Sequence, residues 1–245
     1  MTAISSNSVL PARREDVAIT TADGLVLRGE LSLPDWTEPI ATLVCVHPLT
    51  THGGSMDSHV FRKMAWRLPA MAGVAVLRVN LRGAGEGLRR SDGEFDACRG
   101  EGLDLGAILA LVRARDLPDP WLVGWSFGTD VVLKFGDRDP VAGAVLLSPP
   151  LRFASPQDLA HWADSRRPVV ILVPEFDDYL RPAEAEQRFA GLPQAQLVAV
   201  TGAGHLWVGE RFVRIVLNEI VRAVAPAAHP LPTDWSGPME RWSDL

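Results

Sequence analysis

Two cysteines in 245 residues, Cys45 in an apolar stretch and Cys98 in a polar one, are too few for a disulfide framework and have no zinc-ligand spacing. Cys45 reads as core, and neither a metal nor a cofactor is expected. The chain also lacks any run of about 18 apolar residues. Its opening, MTAISSNSVLPARRED, holds no continuous apolar stretch of the signal-peptide kind. The expectation is a cytoplasmic protein with no membrane partner. Positive charge is scarce: 24 Lys and Arg face 30 Asp and Glu, for a formal net charge of −6. Arginine carries nearly all of it, singly or in pairs. With no basic stripe, nucleic acid is not an expected partner.

What is present is an apolar chain, 47% hydrophobic, long enough for one sizeable core. We expect a single domain over 1–245, with its core at about 16–226 and a Pro- and Trp-containing tail over 227–245. A β-hairpin is predicted from Val17 to Leu33, turning at Asp23-Gly24. Further strands are predicted near 41–47, 74–80, 120–125, 142–148, 168–174 and 195–200, separated by helical stretches. Such alternation predicts an α/β fold, a mostly parallel sheet with helices on both faces. Residues Val208 to Val224 carry apolar side chains at helical spacing, with Phe212, Ile215, Val216, Ile220 and Val221 facing inward. Between Ser148-Pro149-Pro150 and Pro168 there are too few residues for a multi-helix lid, so an open site is expected.

The run Gly124-Trp125-Ser126-Phe127-Gly128 fits GxSxG, with the apolar Trp121-Leu122-Val123 before it and helix-compatible Thr129 to Phe135 after it. A serine on a sharp strand-to-helix turn needs small neighbours two residues to either side, and its hydroxyl then stands clear of the sheet edge. Ser126 is the candidate nucleophile. A serine of this kind needs a base and an orienting acid, which follow it in the order acid, then histidine. The apolar run Pro168 to Pro174 ends in Glu175-Phe176-Asp177-Asp178-Tyr179, and Ala195 to Val200 runs into Thr201-Gly202-Ala203-Gly204-His205. His205 is the candidate base. His52, His59, His161 and His229 read as solvated or capping, while His47 reads equally as a satisfied buried histidine or as shaping the site. The cluster Gly83-Ala84-Gly85-Glu86-Gly87 has the spacing GxGxG and leads into a loop, so it is not a dinucleotide fingerprint. Glu101 and Asp104 read as favouring a helix N-terminus, with a contact to Arg82 as the alternative.

His47-Pro48-Leu49 with Gly53-Gly54-Ser55-Met56-Asp57, then Asn80-Leu81-Arg82-Gly83-Ala84-Gly85, then the Ser126 elbow, resemble the serine α/β-hydrolase superfamily, in particular its small, compact bacterial-type members. The resemblance spans roughly residues 40 to 215. Thr51 and His52 stand as an insertion, Gly87 replaces a usual serine, and Cys45-Val46 replaces a further His-Pro pair. The resemblance implies the α/β-hydrolase fold, no large lid domain, and an oxyanion hole from the N–H groups of Phe127 and Leu49, with Thr50 as fallback. It also implies that Arg82 and the glycines after it brace the site. Family patterns place the acid two residues before an aromatic, which selects Asp177, or four before a proline, which selects Asp178; Asp177 is preferred as nearer the strand end, and Glu175 is the third choice.

Trp125, Phe127, Leu49, Phe176, Tyr179 and Trp207 neighbour these positions and are expected to form an apolar rim, with Trp125, Tyr179 and Trp207 binding substrate. That suits a small-molecule acyl ester or thioester, cleaved through an acyl-enzyme. A serine peptidase and a non-catalytic binding protein of the same fold are the alternatives. The tail's tryptophans, Trp235 and Trp242, suggest docking onto the domain or onto a second subunit as a homodimer, against a free tail.

Overall fold

A computed structural model describes residues 1–240 and Trp242. Its centre is an eight-stranded sheet. Strands β2 (Arg13–Thr20) and β3 (Val26–Leu33) form the expected hairpin and join the sheet antiparallel through β5 (Ala75–Asn80). The rest are parallel: β4 (Thr42–Val46), β6 (Pro120–Trp125), β7 (Gly143–Leu147), β8 (Val169–Phe176) and β9 (Ala195–Gly204). The spatial order is β2-β3-β5-β4-β6-β7-β8-β9.

Strands buried on both faces read as continuous apolar runs, and β4, Thr42-Leu43-Val44-Cys45-Val46, is buried at every position. Its alternating side chains divide between two cores. Leu43 and Cys45 face helices α1 (His59–Ala72) and α6 (Glu210–Val224). Val44 and Val46 face the side covered by α2 (Glu101–Ala114), α3 (Phe127–Phe135), α4 (Pro156–Ser165) and α5 (Pro182–Arg188). On α6 the inward residues are Val213, Val216, Leu217, Ile220 and Val221, so Phe212 and Ile215 sit at the margin, only partly buried.

The chain adds β5 on one side of β4 and then returns to add β6 on the other. That reversal leaves the carboxyl ends of β4 and β6 side by side with their following loops diverging, the crevice where open α/β sheets bind ligands. Among the described residues no lid covers it, because the β7–β8 connection holds only α4, which turns back onto the core through the buried Trp162, whose Nε1–H donates to Leu133 O at 3.1 Å.

Three sequence features take a definite place in the structure. Cys98 is buried, only 2% exposed, at a left-handed backbone position, although its neighbours are polar. Asp104 takes the alternative, the contact to Arg82: wholly buried, it accepts from the backbone N–H of Arg82 at 2.9 Å and pairs with that guanidinium at 2.8 Å. The tail is docked rather than free: β10 (Asp234–Trp235) pairs antiparallel with β1 (Thr2–Ala3) and Glu240 forms an ion pair with Arg14. Trp242 stays exposed. Among the described residues no helix is long and apolar enough to cross a membrane.

Candidate active site

Ser126 sits between β6 and α3 with φ 51° and ψ −121°, backbone strain that a non-glycine residue adopts only when its surroundings impose it. Two glycines impose it here. A Cβ on Gly124 would stand 2.7 Å from Gly128 O, and one on Gly128 would stand 1.9 Å from Val46 O. Both distances are shorter than any van der Waals contact allows, so α3 can rest on the end of β4 only if these positions lack side chains. The Ser126 hydroxyl consequently projects into the crevice.

Asp177 and His205 leave the neighbouring strands β8 and β9 at the same sheet edge. A register shift between Pro174 and Phe176 carries β8 past its proline, and β9 runs to Gly204, four residues further than the apolar pattern indicates. Ser126 Oγ–H donates to His205 Nε2 at 2.9 Å, and His205 Nδ1–H donates to Asp177 Oδ2 at 2.9 Å. The other Asp177 oxygen accepts from the N–H groups of Tyr179 at 2.8 Å and Leu180 at 3.2 Å. Burial alone would raise the Asp177 carboxyl; the hydrogen bond and charge of His205 with the two N–H donors outweigh it and hold the group below the usual carboxylate range. Asp178 is exposed on the cavity wall and is not the carboxylate bonded to the imidazole, and Glu175 instead accepts from Gly202 N–H at 2.7 Å. An ionised acid, a correctly oriented imidazole and a hydroxyl in series can generate an alkoxide-like nucleophile without a metal.

Sequence reasoning missed what holds the histidine. His205 O accepts from Trp125 Nε1–H at 3.2 Å and from Ser148 Oγ–H at 3.0 Å, and His59 Nε2–H donates to Leu206 O at 2.7 Å. Trp125 and Trp207 are therefore not rim residues: both are buried in the core under α1 and α6, and Trp125 packs edge-on against His59 and Phe61. Phe176 is exposed outside the cavity. Nor is His59 a solvated cap. For Trp125, the last residue of β6, the alternation of side chains along a strand explains the correction, since a residue next to an outward-facing serine points inward.

The cavity beside Ser126 has a volume of about 350 Å³. Of the expected rim, Leu49, Phe127 and Tyr179 line it, joined by Asp130, Arg152 and Phe153. Tyr179 lies edge-on to the His205 ring, 4.7 Å between centres. Phe127 opens α3, so its N–H has no partner within the helix, and Leu49 precedes the short turn Thr50–His52 with its carbonyl accepting from His52 and Gly54. The inserted Thr51 and His52 form that turn, and His52 reaches the cavity wall. His47 is wholly buried beneath it, with Nδ1–H donating to Pro48 O at 2.6 Å and Nε2 accepting from Leu81 N–H at 3.0 Å. It is thus both satisfied and a support for the loop. No group of side chains suited to a metal occurs among the described residues.

A family model described as the alpha/beta hydrolase fold matches residues 49–206. Among solved structures, the chain is similar to an alpha/beta serine hydrolase without a lid from Xanthomonas campestris, at 26% identity and a TM-score of 0.72, over 95% of this chain and 100% of that one. It is also similar to an alpha-beta serine hydrolase homologue from Coxiella burnetii, at 25% identity and a TM-score of 0.73, over 86% and 97%. An esterase from Pyrococcus furiosus shares the fold at 18% identity and a TM-score of 0.71, over 87% and 92%. No curated protein matches the sequence.

Two outcomes follow from this geometry. Gly128→Ala should cost about 1–3 kcal/mol of stability and about 100-fold in turnover, whereas Gly106→Ala, on α2 with nothing within 4 Å of its added Cβ, should be neutral or stabilising by up to ~1 kcal/mol. Urea unfolding with ester turnover checks both. Separately, burial pushes the His47 imidazole down to about 4 despite its bond to Pro48. The unfolded chain then binds a proton that the native state refuses, so stability should fall as pH drops from about 6.5 to about 4, by up to roughly 3 kcal/mol. Unfolding across that window should show a shallower slope in His47→Asn; an unchanged slope would assign the loss to other groups.

Proposed function

The chain belongs to the alpha/beta hydrolase family, and from that we propose that it is a serine hydrolase cleaving a carboxylic ester or thioester through an acyl-enzyme on Ser126. The observation that carries the reading is the unbroken hydrogen-bond series from Asp177 through His205 to Ser126 at the strained elbow. In the first step Ser126 Oγ attacks the substrate carbonyl and its proton passes to His205 Nε2. Asp177 fixes the tautomer and stabilises the imidazolium that forms. The oxyanion accepts from the N–H groups of Phe127 and Leu49, both on the cavity wall. Collapse of the intermediate expels the alcohol or thiol, which takes the proton from His205. Water, deprotonated by the same imidazole, then releases the acid and restores Ser126.

Supporting the substrate class are the modest cavity, its apolar wall of Leu49, Phe127 and Phe153, and the absence of a lid, which leaves the site open to a small acyl group.

A fluorophosphonate probe should label wild type at Ser126 and leave Ser126→Ala unlabelled, with ester, thioester and amide panels ranking the leaving groups. Asp177→Asn should lower turnover by up to about 10⁴, because the imidazole is held in the wrong tautomer, while Asp178→Asn changes it far less. The reverse ranking would move the acid to Asp178. An unlabelled wild type would end the hydrolase reading.

A further inference from the structure

Arg152 lies in the loop that joins β7 to α4, and it lines the cavity that holds Ser126. The residue is exposed, and its guanidinium carbon stands 6.0 Å from the centre of the Tyr179 ring. That ring packs edge-on against His205, 4.7 Å between centres. A single aromatic ring therefore separates the cation from the catalytic imidazole. Arginines elsewhere on the surface meet carboxylates, as Arg99, Arg113 and Arg115 do with Asp96, Asp139 and Glu15. Among the described residues Arg152 has no such partner, and no other Lys or Arg lines this cavity.

The backbone beneath Arg152 is fixed. Ser148 and Leu151 each take a left-handed φ of 50°, strain that a non-glycine residue keeps only where its surroundings impose it. The N–H groups of Phe153 and Ala154 donate to Asp130 Oδ1 at 3.1 and 2.8 Å, and that of Arg152 acts on the same carboxyl. Phe153 also packs edge-on against Phe127, 5.6 Å between centres. Asp130 anchors this loop without serving as the counter-ion of Arg152, since it is wholly buried and burial pushes its carboxyl up. A guanidinium carried on so rigid a loop gives up little freedom when it meets an anion.

We propose that the ester substrate carries a carboxylate away from its scissile carbonyl and that Arg152 binds this group, which makes Arg152 a specificity-determining residue. The proposal rests on the reading of Ser126 as the acyl acceptor. A guanidinium engages a carboxylate through two parallel N–H donors, a fit that an ammonium group lacks. The chain's net charge of −6 repels anions in general, so a preference for an anionic ester has to come from a local cation. Asp178, the exposed acid on this wall, also borders a neighbouring recess with Gly202, Leu206 and Phe212, of which Arg152 is not part. The Arg152 side of the cavity is thus left to the anion.

The test measures kcat/KM at low salt for monoethyl succinate, glutarate, adipate and suberate, each against its uncharged monoamide of the same length and shape. A second series puts the charge on the alcohol, comparing ω-acetoxy acids with their amides. Wild type should favour the carboxylate by about 10-fold at one chain length of one series, which locates the anion on the acyl or the alcohol side. The gain should lie mainly in KM, because the pair forms in ground and transition states alike. Salt at about 1 M should shrink it, since an exposed pair is screened. In Arg152→Gln the ratio should fall to about one or below, whatever the absolute rates, and Arg152→Lys should recover part of it. A role confined to shaping the loop would change carboxylate and amide esters together and leave the ratio intact. A wild-type ratio near one or below at every length of both series overturns the proposal, as does a ratio that survives in Arg152→Gln. So does a preference for ethyl 6-aminohexanoate over monoethyl adipate, which would give recognition to Asp178. If wild type labels at Ser126 with the fluorophosphonate yet shows no carboxylate preference, the assignment of Arg152 alone is wrong; if it neither labels nor cleaves any ester, the hydrolase reading falls with it.

Discussion

The contact of the first turn of α3 with the end of β4 governs the placement of everything else in the site. A Cβ on Gly128 would overlap Val46 O at 1.9 Å, so the helix can seat there only on bare backbone. That seating forces Ser126 into its strained turn and aims the unpaired N–H groups at the start of α3 into the crevice, where charge would develop. The sheet order supplies the other half, because reversal at β4 places the loop carrying Leu49 directly across from Ser126. Strain of this sort, on the order of 1–3 kcal/mol, persists because the packing around it is dense on both sides of the sheet.

The histidine depends on a different device. His205 lies on a loop rather than in a strand, and loops are ordinarily the mobile part of a site. Here the loop's carbonyls are held from three elements: Trp125 from β6, Ser148 from the end of β7 and His59 from the start of α1. Glu175 fixes the strand leading into the loop through Gly202. The imidazole is thus oriented through its backbone as well as through Asp177, which keeps its Nε2 toward Ser126.

Much of this was readable in the residues. GxSxG after an apolar strand, a carboxylate cluster ending the next but one, and a histidine after a glycine-rich turn each have a local chemical reason, and the three meet in the structure. Strand positions were legible because a parallel sheet buried on both faces demands continuous apolar runs. The ends were not: β8 passes a proline and β9 passes a glycine, both ordinarily strand-breaking, because the bulge at Pro174–Phe176 absorbs the irregularity. Trp125 and Trp207 misled because nearness in sequence to a catalytic position does not say which face of the sheet a side chain takes. Cys98 misled because its burial depends on tertiary neighbours, and for the same reason the sequence left two readings open for Asp104, of which the contact to Arg82 is the one formed.

The central claim is that acyl transfer passes through Ser126, and the most direct measurement is to trap the acyl-enzyme itself. Wild-type protein mixed with excess p-nitrophenyl ester, quenched in acid within the first turnovers and digested, should yield one acylated peptide, modified at Ser126, with a p-nitrophenolate burst of about one equivalent per chain. Acylation at any other residue, or turnover with neither burst nor adduct and a rate unchanged by Ser126→Ala, would contradict the account.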